Sequence, residues 1–129
     1  MEENRNRLLT PDLLKALAEY PLYSQEDKYI PDLVAVAKMC IGSMRWYIIE
    51  GNAEGDRFTF YTLVCGLDEM PELGYTDAGE LAGVAVDCAR YGLPGAVYRV
   101  EREENFIQCR LADIADEDVK RFCSRFSDE

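Results

Sequence analysis

RWYIIEGNAEGDRFTFYTLVC, residues 45–65, is the stretch that decides the fold. Its opening, Arg45 to Glu50, is rich in aromatic and β-branched side chains, which suit a pleated, half-buried surface. Arg57 to Cys65 has the same character. Alternation along this second run puts Phe58, Phe60, Thr62 and Val64 on one face and Thr59, Tyr61, Leu63 and Cys65 on the other. Between the runs, residues 51–56 carry two glycines with Asn and Asp, the residues of tight turns. The segment reads as an antiparallel hairpin turning at Gly51–Asp56.

Working toward the N-terminus, residues 33–41 are apolar except for Lys38 and predict a central strand, although their alanines leave a helical reading open. Leu22 to Ile30 reads as a polar connection. Thr10-Pro11-Asp12 starts a helix, with Thr10 as N-cap, Pro11 in the first helical position and Asp12 facing the positive helix end. Leu13, Leu14 and Leu17 form its stripe, and Pro21 ends it.

Toward the C-terminus, Gly66 to Tyr75 reads as a loop holding Pro71 and Gly74. Asp77 with Glu80 has the spacing of a capping box at a short helix. Residues 81–91 fit helix or loop. Gly92 to Gly95 is a turn, and Ala96–Glu101 with Phe106–Leu111 reads as a second hairpin around 102–105. Asp116 to Phe126 predicts a helix with acids at its start, bases later and Val119, Phe122, Cys123 and Phe126 as its apolar stripe. The sum is one α+β domain over 1–129, with residues 1–7 expected to be flexible and 113–129 to hold the C-terminal helix. Its antiparallel sheet has four to five strands built from hairpins, with helices at both ends.

Composition narrows function by exclusion. With 48% apolar residues, the 129-residue chain can build a core without staples. No apolar run reaches the roughly 18 residues of a membrane helix, and the mixed-charge start is unlike a signal peptide, so no membrane association and a cytoplasmic location are expected. Histidine is absent, which removes every imidazole-based triad. The five cysteines, Cys40, Cys65, Cys88, Cys109 and Cys123, are too widely spaced for a zinc site and are expected to be reduced, buried and metal-free. No phosphate-binding glycine loop occurs, so no cofactor is expected. Glu50, Glu54 and Asp56 crowd one turn with oxygen donors suited to Ca²⁺ or Mg²⁺, but their spacing matches no EF-hand loop. The group around Glu101, Glu103 and Glu104 sits beside Arg99 and Arg102 and reads as salt-bridged surface. Trp46, Tyr47, Phe58, Phe60 and Tyr61 read as core or a protein-binding face, since base-stacking platforms sit in basic surroundings.

The net charge is −11, which argues against direct nucleic-acid binding. Eight of those charges fall between Glu50 and Ala89, where nine acids face one base, Arg57. Within that stretch Glu50, Glu54, Asp56, Asp68, Glu69 and Glu72 are the candidate partner-binding residues. As surface charges they should tolerate reversal to lysine without loss of the fold.

Several segments together resemble a family of small uncharacterised bacterial proteins found on plasmids and conjugative elements. The resemblance runs through residues 8–14 (LLTPDLL), 21–26 (PLYSQE), 46–51 (WYIIEG), 54–58 (EGDRF), Gly66-Leu67, 71–75 (PELGY) and 92–94 (GLP), covering roughly residues 8–112. The chain departs from it in residues 82–91 and in the helix from Asp116. The resemblance implies a mobile-DNA setting and no catalytic residues. Joined to the acidic stretch, it points to a non-catalytic interaction protein that occupies the DNA groove of a basic host defence protein. The rivals are an accessory module for conjugation or plasmid maintenance with an apolar docking face, and an enzyme with a carboxylate-based site.

Overall fold

A computed structural model describes residues 6–66 and 70–126. Its centre is the expected hairpin, β3 (Met44–Glu54) and β4 (Arg57–Cys65), paired antiparallel from Arg45↔Cys65 to Glu54↔Arg57. The reversal is tighter than the sequence suggests. Only Gly55 and Asp56 lie between the strands, and Gly55, at φ +67°, supplies the left-handed first position of a two-residue hairpin turn.

The preceding strand divides in two. β1 (Val34–Ala35) and β2 (Ala37–Ile41) are separated at Val36, whose N–H donates to Ile48 O at 2.8 Å. β2 pairs with β3 on one side and with β8 (Glu101–Arg102) on the other, whereas β1 pairs with β9 (Cys109–Arg110). The apolar run is central, as its composition implies, but it serves two sheets.

Residues 66–75 are not simply a loop. β5 (Glu72–Asp77) pairs with β4 from Val64↔Glu72 to Thr59↔Asp77, completing a five-stranded antiparallel sheet ordered β5-β4-β3-β2-β8. Pro71 stands just before this edge strand, a place proline tolerates, and Gly74 within it disguises the pattern. The second predicted hairpin does not form. Val97–Arg99 (β7) pairs with Ala85–Asp87 (β6), which also resolves part of the ambiguous 81–91 stretch as strand. Fully buried Val100 separates β7 from β8, so each short piece pairs where the core places it.

Both sheet faces are covered, which explains why β3 is apolar without alternation. On one face α1 (Pro11–Leu17) contributes Leu13 and Leu17, and α2 (Ala78–Ala82) contributes Ala78 and Leu81, all packed against Met39, Trp46, Ile48 and Phe60. Leu14, expected in the α1 stripe, is instead 40% exposed. On the other face α3 (Glu117–Ser124) sets Val119, Phe122 and Cys123 against Tyr47, Ile49, Leu63 and Cys65. Each buried Leu, Ile, Val, Met or Phe among them contributes about 1.5–3 kcal/mol.

The caps at Thr10 and Asp77 follow the sequence. Thr10 Oγ1 accepts from Leu13 N–H at 3.4 Å, Asp77 from Glu80 N–H at 2.9 Å, and Asp116 from Asp118 N–H at 2.9 Å. Cys65, Cys88 and Cys123 are buried, Cys40 and Cys109 half-buried, and all five are free thiols. No helix among the described residues is long and apolar enough to cross a membrane.

The end of β4 depends on Gly66. Its φ is +97°, and a Cβ there would stand 2.3 Å from Ser43 O. Gly66→Ala should therefore destabilise the protein by about 2 kcal/mol, since the backbone itself must shift. A urea midpoint equal to that of the parent protein would contradict this.

Candidate functional site

The four candidate acids among the described residues do not assemble into one surface. Glu54 and Asp56 are exposed at the β3–β4 tip, beside Arg57. Glu72 is exposed at the start of β5, opposite Val64, so seven residues of strand, roughly 23 Å, lie between it and the tip. Asp68 and Glu69 lie outside the described residues. Glu50 is not a surface residue at all. It is 3% exposed, and its carboxylate accepts the N–H groups of Tyr23 and Gln25, each at 2.8 Å. Its reversal to lysine would not leave the fold intact, contrary to the sequence-based expectation. The Glu101 group is corrected too: Arg102 turns from its neighbouring acids to Asp12, at 2.9 Å.

Glu50 reaches its position through a β-bulge. The β3–β4 register shifts between Ile48 and Glu50, so Ile48 faces Thr62 and Glu50 faces Tyr61, with Ile49 inserted. Strict alternation would send Glu50 to the Ile48 face. The bulge returns it to the face of Tyr61, a re-aiming that bulges commonly perform. Tyr61 in turn faces Tyr75 on β5, so Glu50, Tyr61 and Tyr75 form one row across three strands.

Tyr23 closes this row from the loop after α1. It is the non-glycine residue with positive φ among those described, at 75°, an uncommon state for a bulky side chain. Two features hold it there: its own N–H bond to Glu50 and the anchoring of Gln25. The Gln25 amide, 1% exposed, donates to Val34 O and Ile49 O and accepts from Val34 N–H. The ring of Tyr75 lies 6.4 Å from that of Tyr23 and 5.0 Å from that of Tyr61, tilted at 57° and 45°. Tyr23 and Tyr75 are more than half exposed. Together with Glu50, Gln25 and Lys28 they line a cleft of about 150 Å³. Burial and the Glu50 charge push the Tyr61 phenol up, and burial with the neighbouring Tyr23 does the same to Tyr75. At neutral pH both rings are therefore uncharged.

A larger, open groove of about 770 Å³ lies on the same face, toward α3, lined by Lys38, Arg45, Tyr47, Phe106, Ile107 and Asp116 among others. Arg45, Tyr47 and Asp116 in it are engaged with one another. Arg45 bonds Asp116 and Asp118 at 2.9 and 2.7 Å, and the Tyr47 hydroxyl donates to Asp116 at 2.6 Å. Burial raises Asp116, but the bonds from Tyr47, Arg45 and its own helix outweigh this and hold it below the usual carboxylate value. Burial and the Asp116 charge push the Tyr47 phenol up and the adjacent Cys65 thiol up to about 12. Cys65 is thus a protonated thiol rather than a nucleophile. The network clamps α3 to the sheet.

Among the described residues no group of three or more Cys, Asp or Glu is arranged to hold a metal ion. The tyrosine cleft was not legible beforehand. Tyr23 lies in a non-periodic segment, Tyr75 in a stretch that reads as loop, and the bulge has no residue signature. No protein-family model, curated protein or solved structure matches the chain.

Proposed function

We propose that this is a non-catalytic interaction protein that binds a positively charged protein through its acidic flank, the exposed acids Glu54, Asp56, Glu72 and Glu80 spread from the β3–β4 tip along β5 to α2. One observation carries the reading. Among the described residues, every acid in an ion pair is an aspartate outside the 50–89 stretch: Asp12, Asp32, Asp113, Asp116 and Asp118. None of Glu50, Glu54, Asp56, Glu72, Asp77, Glu80 and Asp87 is in an ion pair with a Lys or Arg among the described residues. Glu50 is buried, but the exposed acids of this stretch, Glu54, Asp56, Glu72 and Glu80, stay available to a partner, and a field of one sign steers association with the opposite one. The engagement of Arg45, Tyr47 and Asp116 in holding α3 supports a non-catalytic role. The resemblance to proteins of mobile elements suggests the finer reading, in which the partner is a host nucleic-acid-binding defence protein and the carboxylates stand where DNA phosphates would.

The test is charge reversal at exposed positions only. Glu54, Asp56, Glu72 and Glu80 changed together to lysine should leave the urea midpoint nearly unchanged. A partner captured by the parent protein should be lost, and parent binding should weaken steeply as salt rises. Duplex DNA should compete for the same partner. Reversal of Glu101, Glu103 and Glu104 is the control and should matter less. Binding that survives the quadruple reversal would sink this reading. The accessory-module alternative would then gain from the exposed apolar residues Leu93, Val97 and Tyr98 around the β6–β7 hairpin.

A further inference from the structure

We propose that the cleft between Tyr23, Tyr61 and Tyr75 is a binding site for an organic cation, a guanidinium or alkylammonium group carried on a side chain. The proposal stands apart from the acidic-flank reading, because the cleft is a local site that binds or fails to bind a small probe whatever the large partner is.

Three features point to a cation. Aromatic faces carry negative potential, and tyrosines gathered around a gap are the usual means of holding a cationic head group. Here three rings from three chain segments line one cleft, Tyr75 packing against both of the others, and Tyr23 and Tyr75 are more than half exposed. Behind them stands Glu50, 3% exposed, with two backbone N–H groups as partners and no Lys or Arg within ion-pair distance among the described residues. A buried carboxylate is ordinarily paired, so one without a counter-ion leaves room for a cation from outside. Lys28 lines the cleft but is directed elsewhere, to Gln25 Oε1 at 3.1 Å and over the Tyr20 ring at 5.8 Å.

The construction also looks dedicated. A bulge is needed to bring Glu50 onto the tyrosine face, and Tyr23 occupies a left-handed backbone state that costs on the order of 1–3 kcal/mol. Such features persist where the surrounding structure imposes them, often at binding sites. The size of the cleft, about 150 Å³, limits the occupant to one side chain or a head group of similar bulk. The occupant's charge would lie over the rings and near the Glu50 carboxylate, with its aliphatic stem against Tyr75.

The experiment is an NMR titration of the 129-residue protein with four probes: the N-acetyl, C-amide derivatives of arginine, lysine, trimethyllysine and citrulline. Citrulline keeps the shape of arginine without its charge. Saturable shifts in the millimolar range, confined to the resonances of Tyr23, Tyr61, Tyr75 and their neighbours, are expected for at least one cationic probe and not for citrulline. The ranking of arginine against the two ammonium probes identifies the head group. Tyr75→Leu, at an exposed position, should fold normally and weaken binding at least about fivefold. Glu50→Gln should weaken it further. Should that variant not fold, Tyr75→Leu decides. Equal shifts with citrulline, no saturable shift with any cation, or unchanged affinity in Tyr75→Leu would each overturn the proposal. The charge-reversed quadruple variant should retain probe binding, which separates this site from the acidic flank.

Discussion

Glu50→Ala is expected to lower stability by about 3–5 kcal/mol. The carboxylate satisfies the N–H groups of Tyr23 and Gln25, and bonds to a charged acceptor are roughly twice as strong as neutral ones. Removing it leaves two donors without a partner at a cost of about 1–3 kcal/mol each. The loop from Leu22 to Gln25 also loses the anchor that holds Tyr23 at positive φ. Glu50→Gln keeps one acceptor and should cost less, about 2 kcal/mol. Glu50→Lys would bury a cation facing two N–H groups and should abolish folding. Urea unfolding with the slope held constant measures all three. A loss below about 1 kcal/mol for Glu50→Ala would show that the loop does not hang from this residue.

Asp116→Ala should cost about 2–4 kcal/mol, because one carboxylate serves three structures. It caps α3 through Asp118 N–H, accepts the Tyr47 hydroxyl, and pairs with Arg45. Asp116→Asn separates these roles, since asparagine caps a helix well but does not neutralise Arg45. The folded pKa of Asp116 lies below its ordinary 3.8, so the folded state favours the ionised form. Its contribution is therefore fully present above the unfolded pKa and is lost as pH falls through the folded one. Between pH 6 and the ordinary carboxylate range the protein should keep this contribution, and below pH 3.8 α3 should loosen first. The Asn variant, lacking the titrating group, should show a shallower acid dependence of its urea midpoint. Equal acid sensitivity in the two proteins would place the titration elsewhere.

What the residues revealed in advance follows from which interactions are local. The β3–β4 hairpin, the Thr10 and Asp77 caps and the α3 stripe depend on neighbours within one turn or one strand, and each is readable from the chain. Asp116, by contrast, reads as the first residue of α3 and is its N-cap. β5 is hidden in the sequence because Pro71 and Gly74 mimic a loop, and the second hairpin gives way because Val97–Arg99 pairs back onto Ala85–Asp87, a stretch that reads as helix or loop, while Cys109–Arg110 pairs with Val34–Ala35, far earlier in the chain. Glu50 was placed on the surface because a carboxylate beside two glycines reads as turn. Its burial depends on Tyr23 and Gln25, more than twenty positions earlier, and on a bulge that composition does not announce.

The division of one strand at Val36 has a consequence for how the chain assembles. β3 and β4 meet across a two-residue turn and can pair as soon as both exist. β1 must wait for Arg110, and the Arg45 side of the sheet for Asp116, 71 residues later. Closure of such long loops is entropically costly, and contacts of this range slow folding. During synthesis the face carrying Tyr47, Ile49 and Leu63 therefore stays uncovered until α3 has been made. That interval is when a nascent chain is most exposed to aggregation and most in need of a chaperone.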